Sequence, residues 1–142
     1  MNKKNIINIA SIILIVFSAF SLLMVSIMAF ANPQSVMDLV QVKLPNTDSY
    51  SSIRGIYGGV GMVIVIQLIY LLIKDRKKGL AFLSLLWGFY ALSRLITILA
   101  DGPLGSFGTQ WLQTETVLCV LCVVVCFLYS KTRSVLPGHA KH

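Results

Sequence analysis

Histidine is nearly absent from this chain, and both copies, His139 and His142, lie in the last four residues. The long apolar stretches therefore contain no histidine for a haem, for a histidine-based metal site or for a Ser-His-acid triad. They also contain neither an HExxH motif nor a glycine-rich phosphate loop. We therefore expect no catalytic residues, no metal site and no cofactor.

Cysteine is confined to one apolar stretch, at Cys119, Cys122 and Cys126. Because no cysteine lies in an outer connection, a disulfide framework is not expected. The spacing of three and four places all three thiols on one helical face, as a soft metal such as cuprous ion could use. One face of one helix cannot complete a coordination shell, so we interpret these residues as small apolar packing groups.

Acidic residues are also scarce, with five Asp and Glu against 12 Lys and Arg and a net charge of +7. Such a basic balance can indicate a nucleic-acid partner. Here the basic residues flank apolar stretches, where they act as anchors that set membrane topology. We therefore expect no nucleic-acid partner.

Four long apolar stretches cover about residues 6–31, 53–73, 79–100 and 111–129. Each reaches the about 20 residues needed to cross a bilayer. The sequence thus predicts an all-α integral membrane four-helix bundle, one domain over residues 1–131, with a disordered tail over 132–142. The first stretch imitates a secretory signal, but it exceeds the about 7–15 residues of a signal core, so we expect it to be retained.

The basic residues also predict an orientation. All but three of the 12 Lys and Arg lie at the amino end, in the connection Lys74–Lys78 and in the tail. These three places share one side of the membrane if all four stretches span it. The positive-inside rule makes that side cytoplasmic, so both termini are expected in the cytoplasm.

The connections differ in length. The first, from Asn32 to Ser52, begins with an N-cap residue and then Pro33 at a first helical position. This predicts a short helix lying flat on the outer leaflet, with an irregular loop as the alternative. The second connection, Lys74–Lys78, is so short that we expect the second and third spans to form a tight antiparallel hairpin.

Ionisable residues inside spans are the main candidates for function, because each costs about 2.5–3.5 kcal/mol at the bilayer centre. Arg54, Arg94 and Glu115 lie within spans, and Asp101 ends the third. Arg94 and Glu115 each lie about 9 Å inside the outer end of antiparallel neighbours, which predicts an ion pair. With Tyr57 they predict a polar cluster in the outer half. One alternative is that Arg54 and Asp101 are interfacial caps and that Arg94 snorkels outward past its helix end. The other is that Arg94 and Glu115 form a purely structural ion pair.

Glycines mark the second and third spans. Gly55 and Gly59 are four apart, Gly58 lies beside them, and Gly88 lies in the third span. Small residues at this spacing let helices approach closely, so we interpret these glycines as packing positions. Space for the chain or ring of a ligand is the alternative.

At Arg54-Gly55-Ile56-Tyr57-Gly58-Gly59, Ser93-Arg94-Leu95, Asp101-Gly102 and Glu115, the chain resembles a family of small four-span bacterial membrane proteins of unknown function. That family is distantly similar to DoxX-like proteins. The likeness covers roughly residues 10–130 and implies a four-helix inner-membrane bundle, without a settled activity or catalytic residues. DoxX-like proteins have been linked to redox and quinone chemistry, but the periplasmic-side cysteines that would support that link are missing here.

Together these features predict a non-catalytic accessory protein with a polar pocket in the outer leaflet. The pocket would bind a membrane lipid, another amphipathic small molecule or a partner helix, which could come from another membrane protein or a second copy. Arg54 and Arg94 would meet an anionic head group, Glu115 and Asp101 would orient them, and Tyr57 would add a hydroxyl. A membrane enzyme acting on lipid or quinone and a small transporter are the alternatives.

Overall fold

The computed structural model describes residues 2–134, and within this range the chain consists of helices and short connections without a β-strand. The helices are α1 (Lys3–Ala31), α2 (Pro33–Asp38), α3 (Thr47–Ile53), a π-helical segment (Arg54–Val60), α4 (Gly61–Lys74), α5 (Arg76–Asp101) and α6 (Ser106–Ser134). The segment from α3 through α4 forms one continuous helical span. The predicted all-α class is therefore confirmed.

Within residues 2–134, four helices are long and apolar enough to cross a membrane: Lys3–Ala31, Thr47–Lys74, Arg76–Asp101 and Ser106–Thr132. The four predicted stretches lie within them. Polar caps extend the helices beyond the apolar residues, as at Asn2, whose side chain accepts a hydrogen bond from the Lys4 amide. The last helix continues to Ser134, into the predicted tail, and residues 135–142 lie outside the described part of the chain.

The predicted short helix after the first span is present as α2, so an irregular loop is wrong for these residues. The Asn32 side chain caps it by accepting from the Gln34 amide at 3.1 Å. Gln34 then holds the chain that follows, because its Nε2 donates to the Val42 carbonyl at 2.9 Å and its Oε1 accepts from the Leu44 amide at 3.0 Å. We call this end of the bundle the α2 end, and the opposite end, with Lys4 and Lys74, the basic end.

The helices pack mainly as two pairs, α1 with α4 and α5 with α6. The helices α4 and α5 contact each other little, although only Asp75 separates them. The one-residue connection thus turns the chain from α4 into α5 as predicted, but the two helices do not pack closely along their length. The reason is that α1 packs against all three of the other long helices and takes the place beside α4 that the hairpin would give to α5.

The main apolar core lies toward the basic end. It joins residues of all four long helices: Ile15, Ala19, Leu68, Leu80, Leu83, Trp87, Leu118 and Cys122. A smaller cluster of Ala29, Val36 and Met37 lies at the α2 end. The space between the two clusters is not filled by side chains, and this gap positions the candidate site.

Candidate functional site

Arg94 and Glu115 form a two-pronged ion pair between α5 and α6. The Arg94 Nε donates to Glu115 Oε2 at 2.6 Å, and the Nη2 donates to Oε1 at 2.8 Å. The Glu115 side chain is 2% exposed and that of Arg94 is 22% exposed. Such bidentate, charge-assisted bonds are among the stronger polar contacts in proteins. The pairing expected from matching depth is present.

The backbone places this pair at one end of the α5–α6 seam. Trp87 and Ala91, seven and three residues before Arg94, are buried on the same face of α5. Leu118 and Cys122, three and seven residues after Glu115, are buried on α6. Since residues three, four and seven apart share one helical face, the apolar seam itself aims the two charged side chains at each other.

A cavity of about 360 Å³ opens beside the ion pair. All four long helices, the π-helical segment and the chain around α2 contribute to its wall. Five aromatic side chains line it: Tyr57, Trp87, Tyr90, Phe107 and Trp111. Both tryptophans of the chain are therefore at the cavity. The remaining wall is mostly aliphatic, so the ion pair is a polar group in a largely apolar cavity.

The π-helical segment forms part of the cavity wall. Ile56, Tyr57 and Val60 of this segment line it. A π-helix is rare, and such segments are frequently found at functional sites because they re-aim side chains that a regular helix would place elsewhere. The glycine-rich sequence of the segment is the signal that singled it out, but spacing alone did not reveal the π geometry.

Two of the predicted site residues lie outside the cavity. The Arg54 Nε donates to the Phe30 carbonyl at 3.3 Å and thereby ties the start of the π-helical segment to the end of α1. Asp101 is the exposed last residue of α5, and its side chain forms no hydrogen bond or ion pair with the described residues. Arg54 and Asp101 are therefore not among the residues that line the cavity, and of the four charged groups predicted to meet there only Arg94 and Glu115 do so.

The glycine predictions also need correction. A Cβ atom added at Gly55 would contact nothing within 4 Å, and one at Gly59 would have only the Arg54 carbonyl at 4.0 Å. These two positions therefore do not pack against another helix within residues 2–134. Both glycines lie in the π-helical segment, where Gly58, between them, makes the close contact with α1.

Close helix contact occurs instead at the predicted position Gly58 and at Gly61. A Cβ there would overlap Ser26 Oγ of α1, which donates to the Leu22 carbonyl at 2.8 Å. A Cβ at Gly58 would lie 2.9 Å from the Phe30 ring of α1. Sequence reasoning missed Gly61, although its position three residues after Gly58 was a usable signal. At Gly88 a Cβ would make ordinary contact with Cys119 Sγ, at 3.4 Å.

Sequence reasoning also missed the polar contact beneath the cavity. The Trp87 Nε1 donates to Ser18 Oγ at 3.1 Å, and both side chains are buried. This bond joins α5 to α1 where the cavity meets the main core. Trp87 lies seven residues before Arg94, so helical periodicity could have placed it beside the ion pair.

The three cysteines lie in the main core or against it. Cys122 is fully buried, and the Sγ atoms of Cys119 and Cys126 lie 3.4 and 3.7 Å from the carbonyls of Ser84 and Lys77 on α5. Among the described residues, no group of three or more His, Cys, Asp or Glu is placed to hold a metal ion. The thiols thus take part in packing along the α5–α6 seam.

A family profile described as a domain of unknown function, DUF4345, matches residues 9–126. The chain belongs to this family. The matched range of this DUF4345 protein includes the ion pair, the π-helical segment and the residues that line the cavity. Comparison with curated proteins and with solved structures found no significant match. The more distant similarity to DoxX-like proteins receives no support from these comparisons.

Proposed function

We propose that this DUF4345 protein is a multi-pass protein of the bacterial inner membrane whose cavity binds an amphipathic small molecule, in a non-catalytic accessory role. The observation that carries the proposal is the cavity of about 360 Å³ between the two apolar clusters, with mostly apolar walls and one ion pair. Ligand pockets typically enclose about 300–1,000 Å³ and combine apolar walls with a few placed polar groups.

Membrane insertion is supported by the surface of the bundle. The four long helices have mean hydropathy values from 1.7 to 2.7 over their most apolar windows. Large aliphatic side chains are widely exposed on them, for example Ile13 at 60%, Ile73 at 72% and Leu99 at 87%. Exposed apolar side chains on this scale are unfavourable in water and favourable in hydrocarbon.

Orientation follows from the basic end, which we place in the cytoplasm. Alkaline phosphatase fused at Lys77 should be inactive, and the same reporter fused at Asp48 should be active, because that enzyme functions in the periplasm. A green fluorescent protein fused at the same two positions should show the reverse pattern. Active phosphatase at Lys77 with none at Asp48 would overturn the orientation.

Ligand binding is tested by what the purified protein carries with it. Ser21 lines the cavity, and its Oγ donates to the Phe17 carbonyl at 2.9 Å. Ser93 is exposed outside the cavity, and its Oγ donates to the Tyr90 carbonyl at 2.8 Å. The two serines therefore have matched local bonding, so Ser21→Phe fills the cavity and Ser93→Phe is its control.

Native mass spectrometry of the three proteins in mild detergent supplies the measurement. The wild type and Ser93→Phe should retain an additional non-protein mass that Ser21→Phe loses, because the phenyl ring occupies the cavity. Three proteins without any bound mass, or three with the same bound mass, would contradict a ligand in this cavity. Melting temperatures of all three proteins establish that the variants are folded.

A further inference from the structure

We infer that the cavity selects an uncharged amphiphile whose head group accepts hydrogen bonds, such as an ester or a polyol on an alkyl chain. The inference rests on the proposed function, since it names the class of ligand for the same cavity. It departs from the anionic head group that the basic residues of the sequence suggested.

The first reason is that the cavity wall carries no net charge. Glu115 already engages Arg94 through two bonds, at 2.6 and 2.8 Å. An anion that displaced Glu115 would leave a carboxylate that is 2% exposed without its counter-charge, which is strongly unfavourable. Arg54, the second predicted cation, bonds to the Phe30 carbonyl and does not line the cavity.

A cationic head group is disfavoured by the same pair. Several aromatic rings around one cavity can attract a quaternary ammonium group. Here the Arg94 guanidinium lies in the same wall and would repel a second cation. Each Glu115 oxygen already accepts from Arg94, and the carboxylate is almost inaccessible, so a cation would find no exposed counter-charge.

The second reason is that residues of the cavity wall carry hydrogen-bond donors that have no acceptor among the described residues. Tyr57, Tyr90 and Trp111 line the cavity, and their hydroxyl and indole N–H donors form no hydrogen bond with the described residues. The Arg94 Nη1 group forms no hydrogen bond to Glu115, which takes only Nε and Nη2. A carbonyl, ether or hydroxyl oxygen would accept from these donors without introducing charge.

The packing of the helices also provides an entrance. The π-helical segment and α4 contact α5 little, and Tyr57 and Tyr90 flank this separation. Both tyrosines line the cavity and yet remain 36% and 38% exposed. With the bundle inserted as proposed above, an alkyl chain could enter from lipid between these two tyrosines.

The two tryptophans provide a direct reporter, because both line the cavity and the chain has no others. A monoacylglycerol with a dibrominated chain should quench their fluorescence saturably in detergent micelles. Unlabelled competitors of equal chain length then relieve the quenching: a monoacylglycerol, an alkyl sulfate and an alkyltrimethylammonium salt. We expect the monoacylglycerol to compete at a concentration about tenfold or more below the two charged compounds, a difference of about 1.4 kcal/mol or more.

The variant Glu115→Gln tests the role of charge itself. It keeps the shape of the side chain but leaves Arg94 without its counter-charge, so the alkyl sulfate should become the better competitor. Wild-type preference for the alkyl sulfate or the ammonium salt would overturn the inference and leave ligand binding intact. Quenching that does not saturate in the wild type, or that is unchanged in Ser21→Phe relative to Ser93→Phe, would instead overturn the proposed function.

Discussion

The ion pair between Arg94 and Glu115 predicts that its two single substitutions lower stability by different amounts. Arg94→Leu leaves a carboxylate that is 2% exposed, whereas Glu115→Leu leaves a guanidinium whose side chain is 22% exposed and can extend toward the α2 end. Breaking a buried pair costs about 3–5 kcal/mol. We expect Arg94→Leu to approach this loss and Glu115→Leu to cost about half as much, because its remaining charge is less buried.

Thermal unfolding in detergent measures the loss. Cys122 is fully buried, so a thiol-reactive fluorogenic maleimide reports the opening of the core. For a chain of this length, 1 kcal/mol corresponds to about 3–5 °C in melting temperature. Arg94→Leu should therefore melt about 9–25 °C below the wild type. Arg54→Leu is the matched control, and it should shift melting by less than about 5 °C because its bond to one carbonyl is exposed.

The double variant Arg94→Leu/Glu115→Leu decides whether the two residues interact. It should regain much of the stability lost in Arg94→Leu, because neither charge remains buried alone. Single effects that add to within about 0.5 kcal/mol would refute the coupling, and the centre of the proposed site with it. Stability that returns without ligand binding would assign the pair a role in recognition beyond joining α5 to α6.

Three further changes test the packing around the site by the same melting assay. Gly61→Leu should lower stability by about 1–3 kcal/mol because the side chain would collide with α1. Gly59→Leu, at an open position, should be close to neutral. Equal effects of the two substitutions would contradict the packing of Gly61 against α1. Ser18→Ala should cost about 1–3 kcal/mol because it leaves the buried Trp87 N–H without an acceptor; an unchanged melting curve would count against that bond. Arg76→Leu should lower stability by about 1–2 kcal/mol, because it removes the hydrogen bond that Arg76 Nη1 donates to Asn8 Oδ1 of α1 at the basic end. An unchanged melting temperature would mean that water replaces this bond.

Local features of the sequence determined the helices. Hydropathy and length are properties of consecutive residues, so the four long helices and the short helix after Asn32 could be predicted without knowledge of their neighbours. The Arg94–Glu115 pair could be predicted as well. Depth along a helix follows from a rise of about 1.5 Å per residue. Two opposite charges at one depth on consecutive helices are expected to pair, because a buried charge without a partner is strongly unfavourable.

Rotation of each helix about its axis, and the choice of its neighbour, required the tertiary structure. Gly55 and Gly59 do not contact another described helix, and α4 packs mainly against α1, with few contacts to α5. The same arrangement left Arg54 outside the cavity and brought Trp87 into its wall. In a bundle of uniformly apolar helices, composition differs little from one face to another. The packing of small and large side chains between helices therefore decides which groups meet, and that packing is a property of all four helices together.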